Sequence, residues 1–254
     1  MAPLIENISP IGFGAFKIGR NQGIRYPRGY ELPDEAAVDR LLNGVLDLGI
    51  NYIDTAPAYG LSEQRIGKAL AHRRDEFFLS TKVGENFQDG QSTFDFSEHA
   101  VRNSIHRSLQ RLGTEALDLV FVHANRQDVE LLNGTDVVPT LLALRDEGHV
   151  KAVGLSAYTA EAFEQSLDWA DAIMVEYHLD DPSAESVISA AADKDVAVMV
   201  KKGLASGRLK ADRAVAFVLS NPLVNSMVVG GLNLDHFRDN LAVAARVRRA
   251  GSTG

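Results

Sequence analysis

The chain has 254 residues, 45% hydrophobic and 24% charged, enough apolar material for one large core, so a single barrel-sized domain over 1–254 is the natural expectation. A formal charge of −8 argues against nucleic acid or an anionic membrane surface as partner, because either needs a basic face to displace counterions; a small-molecule partner is expected instead. The absence of cysteine excludes disulfides and thiolate metal sites, and no metal site of another kind is expected.

The N-terminal MAPLIENISP lacks a basic segment followed by an apolar one, and no apolar run approaches membrane-spanning length, so a cytoplasmic protein is expected. After Pro10 the run Ile11 to Ile18 reads as a strand. A polar loop, Arg20 to Leu32, then leads to Pro33 and a helix on which Val38, Leu41, Leu42, Val45 and Leu48 share one face. The second unit is the strand ending at Asp54 and a helix from Ser62 to Leu70. The third strand is Phe77 to Lys82, followed by a long polar loop, Glu85 to Phe96, and a helix from Ser97 to Leu112 that Gly113 ends.

Strand four, LDLVFVH, ends at His123, and another long loop precedes a helix near Val137 to Glu147. Strand five ends at Ser156, with Thr159 capping a helix to Trp169. Strand six is Ala172 to Glu176, with a helix from Ser183 to Ala192; strand seven is Val196 to Val200, with a shorter helix from Ala211 to Leu219. Strand eight is SMVVG, and a final helix covers Leu234 to Arg249. Eight strand and helix pairs in this length predict an α/β fold, the (β/α)8 TIM barrel with eight parallel strands, since each right-handed crossover returns to the next strand position. The alternative, an open doubly wound sheet, lacks its glycine fingerprint after the first strand; GFGAFKIG matches it only weakly.

In such a barrel the chemistry sits at the C-terminal ends of the strands. Asp54, Tyr59, Lys82 and His123 fall at or just past the ends of three successive strands, with 28 and 41 residues between Asp54, Lys82 and His123, and so are expected to converge. Taken singly each has a plain structural explanation: Asp54 as a helix cap, Tyr59 packed under a loop, Lys82 reaching to the rim, His123 as a satisfied core imidazole. Together they suit proton chemistry. A phenol titrates near 10, and lowering that by about 2 to 3 units needs roughly 3 to 4 kcal/mol. An ammonium about 4 Å away supplies on the order of 4 kcal/mol at an effective dielectric near 20. Lys82 can therefore make Tyr59 an acid, Asp54 can hold the lysine charged, and His123 can place a carbonyl oxygen beside the phenol. A positioned acid without a nucleophile suits carbonyl reduction with hydride from a cofactor. Gly203, Ser206 and Gly207 after strand seven, and Gly230 and Gly231 after strand eight, lie where barrels form phosphate sites, although glycines there also serve as simple turn residues.

DTAPAYG with Tyr59, TKVG with Lys82, VFVH with His123 and GLSAY at strand five together resemble the aldo-keto reductases, from about Gly12 to Leu241. The resemblance implies a barrel oxidoreductase that interconverts aldehydes or ketones and alcohols, uses the tetrad Asp54, Tyr59, Lys82 and His123 with Tyr59 as the acid, and binds NADP(H) in preference to NAD(H). It also implies cofactor contacts at Ser156 and Lys201, at the glycine loops, at His236 and at Asn240. This sequence departs from the family pattern in places: Ser156-Ala157 stands for Ser-Asn, Met174 for a glutamine, Lys201 for the aromatic that stacks on nicotinamide, and Gly230 and His236 for basic residues near the 2′-phosphate. Arg208, Lys210 or Arg238 are candidates to replace the missing charge. Two other functions are weighed against this one: a Schiff-base aldolase or lyase through Lys201 or Lys202, and a cofactor-binding protein without turnover.

Overall fold

The computed structural model describes residues 5, 7–24 and 29–251. Residues 25–28 of the polar loop expected after the first strand lie outside the described residues. Eight parallel strands close into a barrel: β1 (Ile11–Gly14), β2 (Tyr52–Asp54), β3 (Phe78–Val83), β6 (Leu119–His123), β7 (Val153–Ser156), β8 (Ala172–Glu176), β9 (Ala197–Lys201) and β10 (Ser226–Val229). Each neighbours the next in chain order, and β10 pairs with β1 through Ile11 and Met227. This is the predicted TIM barrel.

The helices follow from amphipathic patterns and caps. In α1 (Glu35–Asp47) the buried residues are Val38, Leu41, Leu42, Val45 and Leu46, and the Asp34 carboxylate accepts the Ala37 amide at 2.7 Å. Leu46 rather than Leu48 completes the buried stripe; Leu48 is the partly buried residue that closes the helix. The other helices are α2 (Ser62–Leu70), α3 (Glu98–Leu112), α4 (Asp128–Gly134), α5 (Val137–Asp146), α6 (Ala160–Ser166), α7 (Glu185–Asp193), α8 (Ala211–Ser220) and α9 (Leu234–Gly251). Gly113 ends α3 at φ 65°, ψ 40°, and the Thr159 hydroxyl caps α6, as the sequence predicts.

Three expectations are corrected. The first strand stops at Gly14, and Ala15–Ile18 tightens into a 3-10 turn that closes against the turn around Tyr59: the Leu61 amide donates to the Gly19 carbonyl at 3.1 Å. The long loop after β6 contains α4. The polar loop from Glu85 to Phe96 is instead a β-hairpin, β4 (Glu85–Gln88) and β5 (Gln91–Phe94), turned by Asp89-Gly90 with φ 52° and 81°. Positive φ at both positions is what a two-residue hairpin turn requires, and Asp-Gly satisfies it at little cost.

Strand alternation positions the site. Tyr52, Phe78, Phe121, Met174 and Met199 fill the barrel interior. The residues two or four places further along the same strands, Asp54, Lys82, His123, Glu176 and Lys201, share that inward parity and form the top layer. Small residues make room for the large ones below: a Cβ on Gly12 would stand 2.5 Å from the Tyr52 ring. A second apolar layer packs between the barrel and its helices.

Candidate active site

The C-terminal mouth of the barrel gathers the four residues that the sequence places at successive strand ends. Lys82 Nζ lies 2.6 and 2.7 Å from the two Asp54 oxygens and donates to the Thr55 carbonyl at 2.8 Å. The Ser80 hydroxyl donates to Asp54 Oδ1 at 2.8 Å and is itself 3.0 Å from the Tyr52 hydroxyl. Asp54 is 3% exposed and Lys82 1%. Burial lowers the lysine below its ordinary value, and Asp54 opposes that shift. The cap reading for Asp54 fails, since the residue before α2 makes no side-chain cap and the carboxylate is spent on Lys82.

Tyr59 ends the 3-10 turn Pro57–Tyr59 just beyond β2. Lys82 Nζ stands 4.9 Å from the centroid of its ring, and the His123 ring meets it edge-on with centroids 6.3 Å apart. Phe16 flanks the other side at 5.1 Å. The phenol, the ammonium and the imidazole therefore converge.

His123 ends β6, in register with Ser156 on β7. Its Nδ1 is enclosed and lies 2.9 Å from Glu85 Oε2, but the N–H axis is not aligned as in a formed hydrogen bond. Such contacts commonly tighten when a ligand binds. Burial lowers the imidazole below its ordinary value, Glu85 opposes this, and Lys82 and Lys201 add to the lowering. Burial would raise the Glu85 carboxyl, but His123, the Ser92 hydroxyl at 2.6 Å and the Arg20 guanidinium at 3.9 Å together hold it at about 2. Arg20 lies 3.3 Å from the centroid of the Phe87 ring, which ties the hairpin to the β1 side of the mouth.

Lys201 ends β9 and donates to Ser156 Oγ at 2.9 Å and to the Ala157 carbonyl at 3.1 Å. Burial and the neighbouring Lys202 push its amine down to about 7. Lys202 pairs with Glu176, whose other oxygen lies 3.6 Å from His178 Nε2. After β9, Lys202, Ala205, Ser206 and Gly207 take positive φ angles of 55°, 46°, 59° and 86°, and Gly203 is buried. Gly230 and Gly231 lead to α9, where Asn233 accepts the Asp235 amide at 2.8 Å and Arg238 pairs with Asp235. His236 is exposed and Asn240 buried. These two loops occupy a different sector of the rim from the tetrad, with Lys201 and Ser156 between them.

Glu85, Arg20 and Glu176 were not singled out in the sequence. Asp89-Gly90 between NFQ and QST is the signal that could have revealed the hairpin and placed Glu85 over the barrel. Among the described residues no group of three or more His, Cys, Asp or Glu is placed to hold a metal ion, and no described helix is long and apolar enough to cross a membrane.

Comparison with known proteins agrees with the barrel fold. The sequence profile described as the Aldo/keto reductase family matches residues 10–214. A solved structure from Pseudomonas aeruginosa, assigned as an aldo-keto reductase, is 42% identical with a TM-score of 0.87, over 94% of this chain and 91% of that one. D-threo-aldose 1-dehydrogenase from a Pseudomonas species is 33% identical over 231 residues, 80% of this chain and 68% of that protein. D-arabinose 1-dehydrogenase from Saccharomyces cerevisiae is 39% identical over 134 residues, only 38% of its own length.

Proposed function

The chain belongs to the aldo/keto reductase family, a nicotinamide-dependent oxidoreductase acting on carbonyl and alcohol groups, and from that premise we propose that Tyr59 is its proton donor, with Lys82, Asp54 and His123 as supports. The observation that carries this reading is the convergence of phenol, ammonium and imidazole at the barrel mouth. Lys82 presents positive charge to the Tyr59 ring in a place with little water, where it favours loss of the phenolic proton. Asp54 keeps the lysine charged and fixed through two short contacts. His123 borders the same space and orients the substrate oxygen. In the reverse direction Tyr59 takes the alcohol proton back.

A nicotinamide cofactor supplies or accepts the hydride. The residues present fit its anionic part. Arg208 brings a cation to the turn after β9, which Lys202, paired with Glu176, begins, and the loop through Gly230 and Gly231 follows the neighbouring strand β10. At the nicotinamide end Ser156 is joined by the Lys201 amine in place of an aromatic ring. NADP(H) is favoured over NAD(H) on family resemblance, with Arg208, Lys210, Arg238 and His236 as the groups available to a 2′-phosphate and Asn240 to the adenine.

Titrating the protein separately with NADPH and NADH tests this, followed by mixing with small aldehydes and aldoses, the latter because two relatives are named for acting on them. NADPH is expected to bind more tightly and to be consumed when an aldehyde is present. Binding of neither cofactor would contradict the reading.

A further inference from the structure

Lys201 ends β9 and turns into the mouth of the barrel rather than out over the loop that follows it. Its amine reaches past β8 to the end of β7, where it donates to Ser156 Oγ at 2.9 Å and to the Ala157 carbonyl at 3.1 Å. The two carboxylates whose fields reach it are engaged elsewhere, Asp54 with Lys82 and Glu176 with Lys202. Among the described residues no carboxylate pairs with Lys201 itself, so contact does not cancel its charge. An ammonium has three N–H groups and a neutral amine two. With two acceptors in place, Lys201 can lose its proton and keep both hydrogen bonds; titration then changes the charge at this point and little else.

The loops after β9 and β10 lie to one side of Lys201 and Ser156, and Tyr59 and His123 to the other. An extended cofactor anchored by its phosphates at those loops must pass Lys201 to bring its ring to a carbonyl beside Tyr59. That ring is neutral when reduced and carries one positive charge when oxidised, whereas the phosphates and the adenine are the same in both forms. A cation beside the ring acts on the difference alone. We propose that Lys201 is a binding residue that distinguishes the two redox forms of the cofactor: its ammonium disfavours the positively charged oxidised ring, so the site holds the reduced form and releases the oxidised one. The proposal rests on the reading that places a nicotinamide cofactor between these loops and Tyr59.

The groups that face the Lys201 amine are Lys202 from the end of its own strand, Glu176 from β8, Lys82 from β3, Asp54 from β2, His123 from β6 and, 5.2 Å away, the Tyr158 ring from the loop after β7. Burial first, and then Lys202, push the amine down to about 7. Discrimination is therefore strong at pH 6, where the amine is charged, and fades by pH 8.5, where it is neutral. His123 lies below its ordinary 6.5 and does not account for a change above pH 7.

Isothermal titration calorimetry with NADPH and with NADP+ tests the proposal; NADH and NAD+ take their place if that pair binds more tightly. In wild type the Kd of the oxidised form divided by that of the reduced form is expected to fall about tenfold from pH 6 to pH 8.5. In Lys201→Met the ratio is expected to be low and the same at both pH values, and in Lys201→Arg, charged throughout, high at both. A wild-type ratio that does not move with pH, or a movement that persists in Lys201→Met, would overturn the proposal. So would an equal weakening of both forms in Lys201→Met, which would make Lys201 a phosphate contact. Wild type alone supplies a second readout: at pH 7, in buffers of different ionisation enthalpy, the oxidised form should release more protons on binding than the reduced form, and equal release would overturn the proposal whether or not the variants fold. Bound cofactor with an unmoved ratio removes this proposal and leaves the cofactor reading intact; binding of neither form removes both.

Discussion

Lys82 Nζ contacts both carboxylate oxygens of Asp54, at 2.6 and 2.7 Å, in a place from which solvent is almost wholly excluded. Neither charge can be removed alone without leaving the other unpaired. Lys82→Met should therefore destabilise the fold by about 3 to 5 kcal/mol as well as abolish turnover. The double variant Lys82→Met/Asp54→Asn should recover part of that loss, because neither partner is then left as an unpaired buried charge. Thermal unfolding of the three proteins checks this; a single variant as stable as wild type would show that the pair is not the tie described here.

Glu85 links the hairpin to acid stability. Its carboxyl is held at about 2 in the folded protein against an ordinary 4.5. The stabilisation is thus fully present above the ordinary carboxylate value and is lost as pH falls towards about 2. A shift of that size corresponds to about 3 kcal/mol, shared with His123 through their contact. Wild type should lose more stability than Glu85→Gln between pH 5 and 2, read by denaturant midpoint. Parallel losses in the two proteins would contradict the assignment.

Gly84 connects β3 to the hairpin at φ 102°, and a Cβ there would lie 2.0 Å from Phe96 Cε1. Both the backbone angle and the packed ring oppose a side chain. Gly84→Ala should cost about 1 to 3 kcal/mol and loosen the hairpin that carries Glu85. Faster hydrogen exchange in residues 85–94, with the amides of β3 unaffected, is the expected signature; unchanged exchange in both would contradict it.

Lys201 should be the lysine most reactive towards acetic anhydride at pH 7.5, because its amine is held at about 7. Bound cofactor should slow the reaction by covering the mouth. Peptide mass spectrometry after brief labelling reads both effects, and slower labelling than at surface lysines would contradict the lowered value. A borohydride-trapped adduct with a carbonyl compound at this position would support the aldolase alternative.

The barrel was legible because eight apolar runs alternate with helices whose stripes recur at the helical period, and strand parity carries Asp54, Lys82 and His123 to one end. Glu85 was not legible. Nothing about a glutamate in a polar stretch indicates which way it points, and only the Asp89-Gly90 turn, bending β4 and β5 over the mouth, gives it a direction. The first strand ends earlier than its composition suggests for a related reason: Ala15, Phe16 and Ile18 continue the apolar run, and Ala15 and Ile18 are buried, though the backbone there is a 3-10 turn. Lys201 stood out in the sequence as a departure from a pattern; its contact with Ser156 across β8 depends on barrel closure, which no local reading supplies.

The most direct test of the central claim is the turnover of Tyr59→Phe. If the phenol is the proton donor, the variant should bind NADPH as wild type does and lose about 100-fold or more in kcat with every aldehyde tried. A variant that keeps wild-type kcat would contradict the account, however well the four side chains converge.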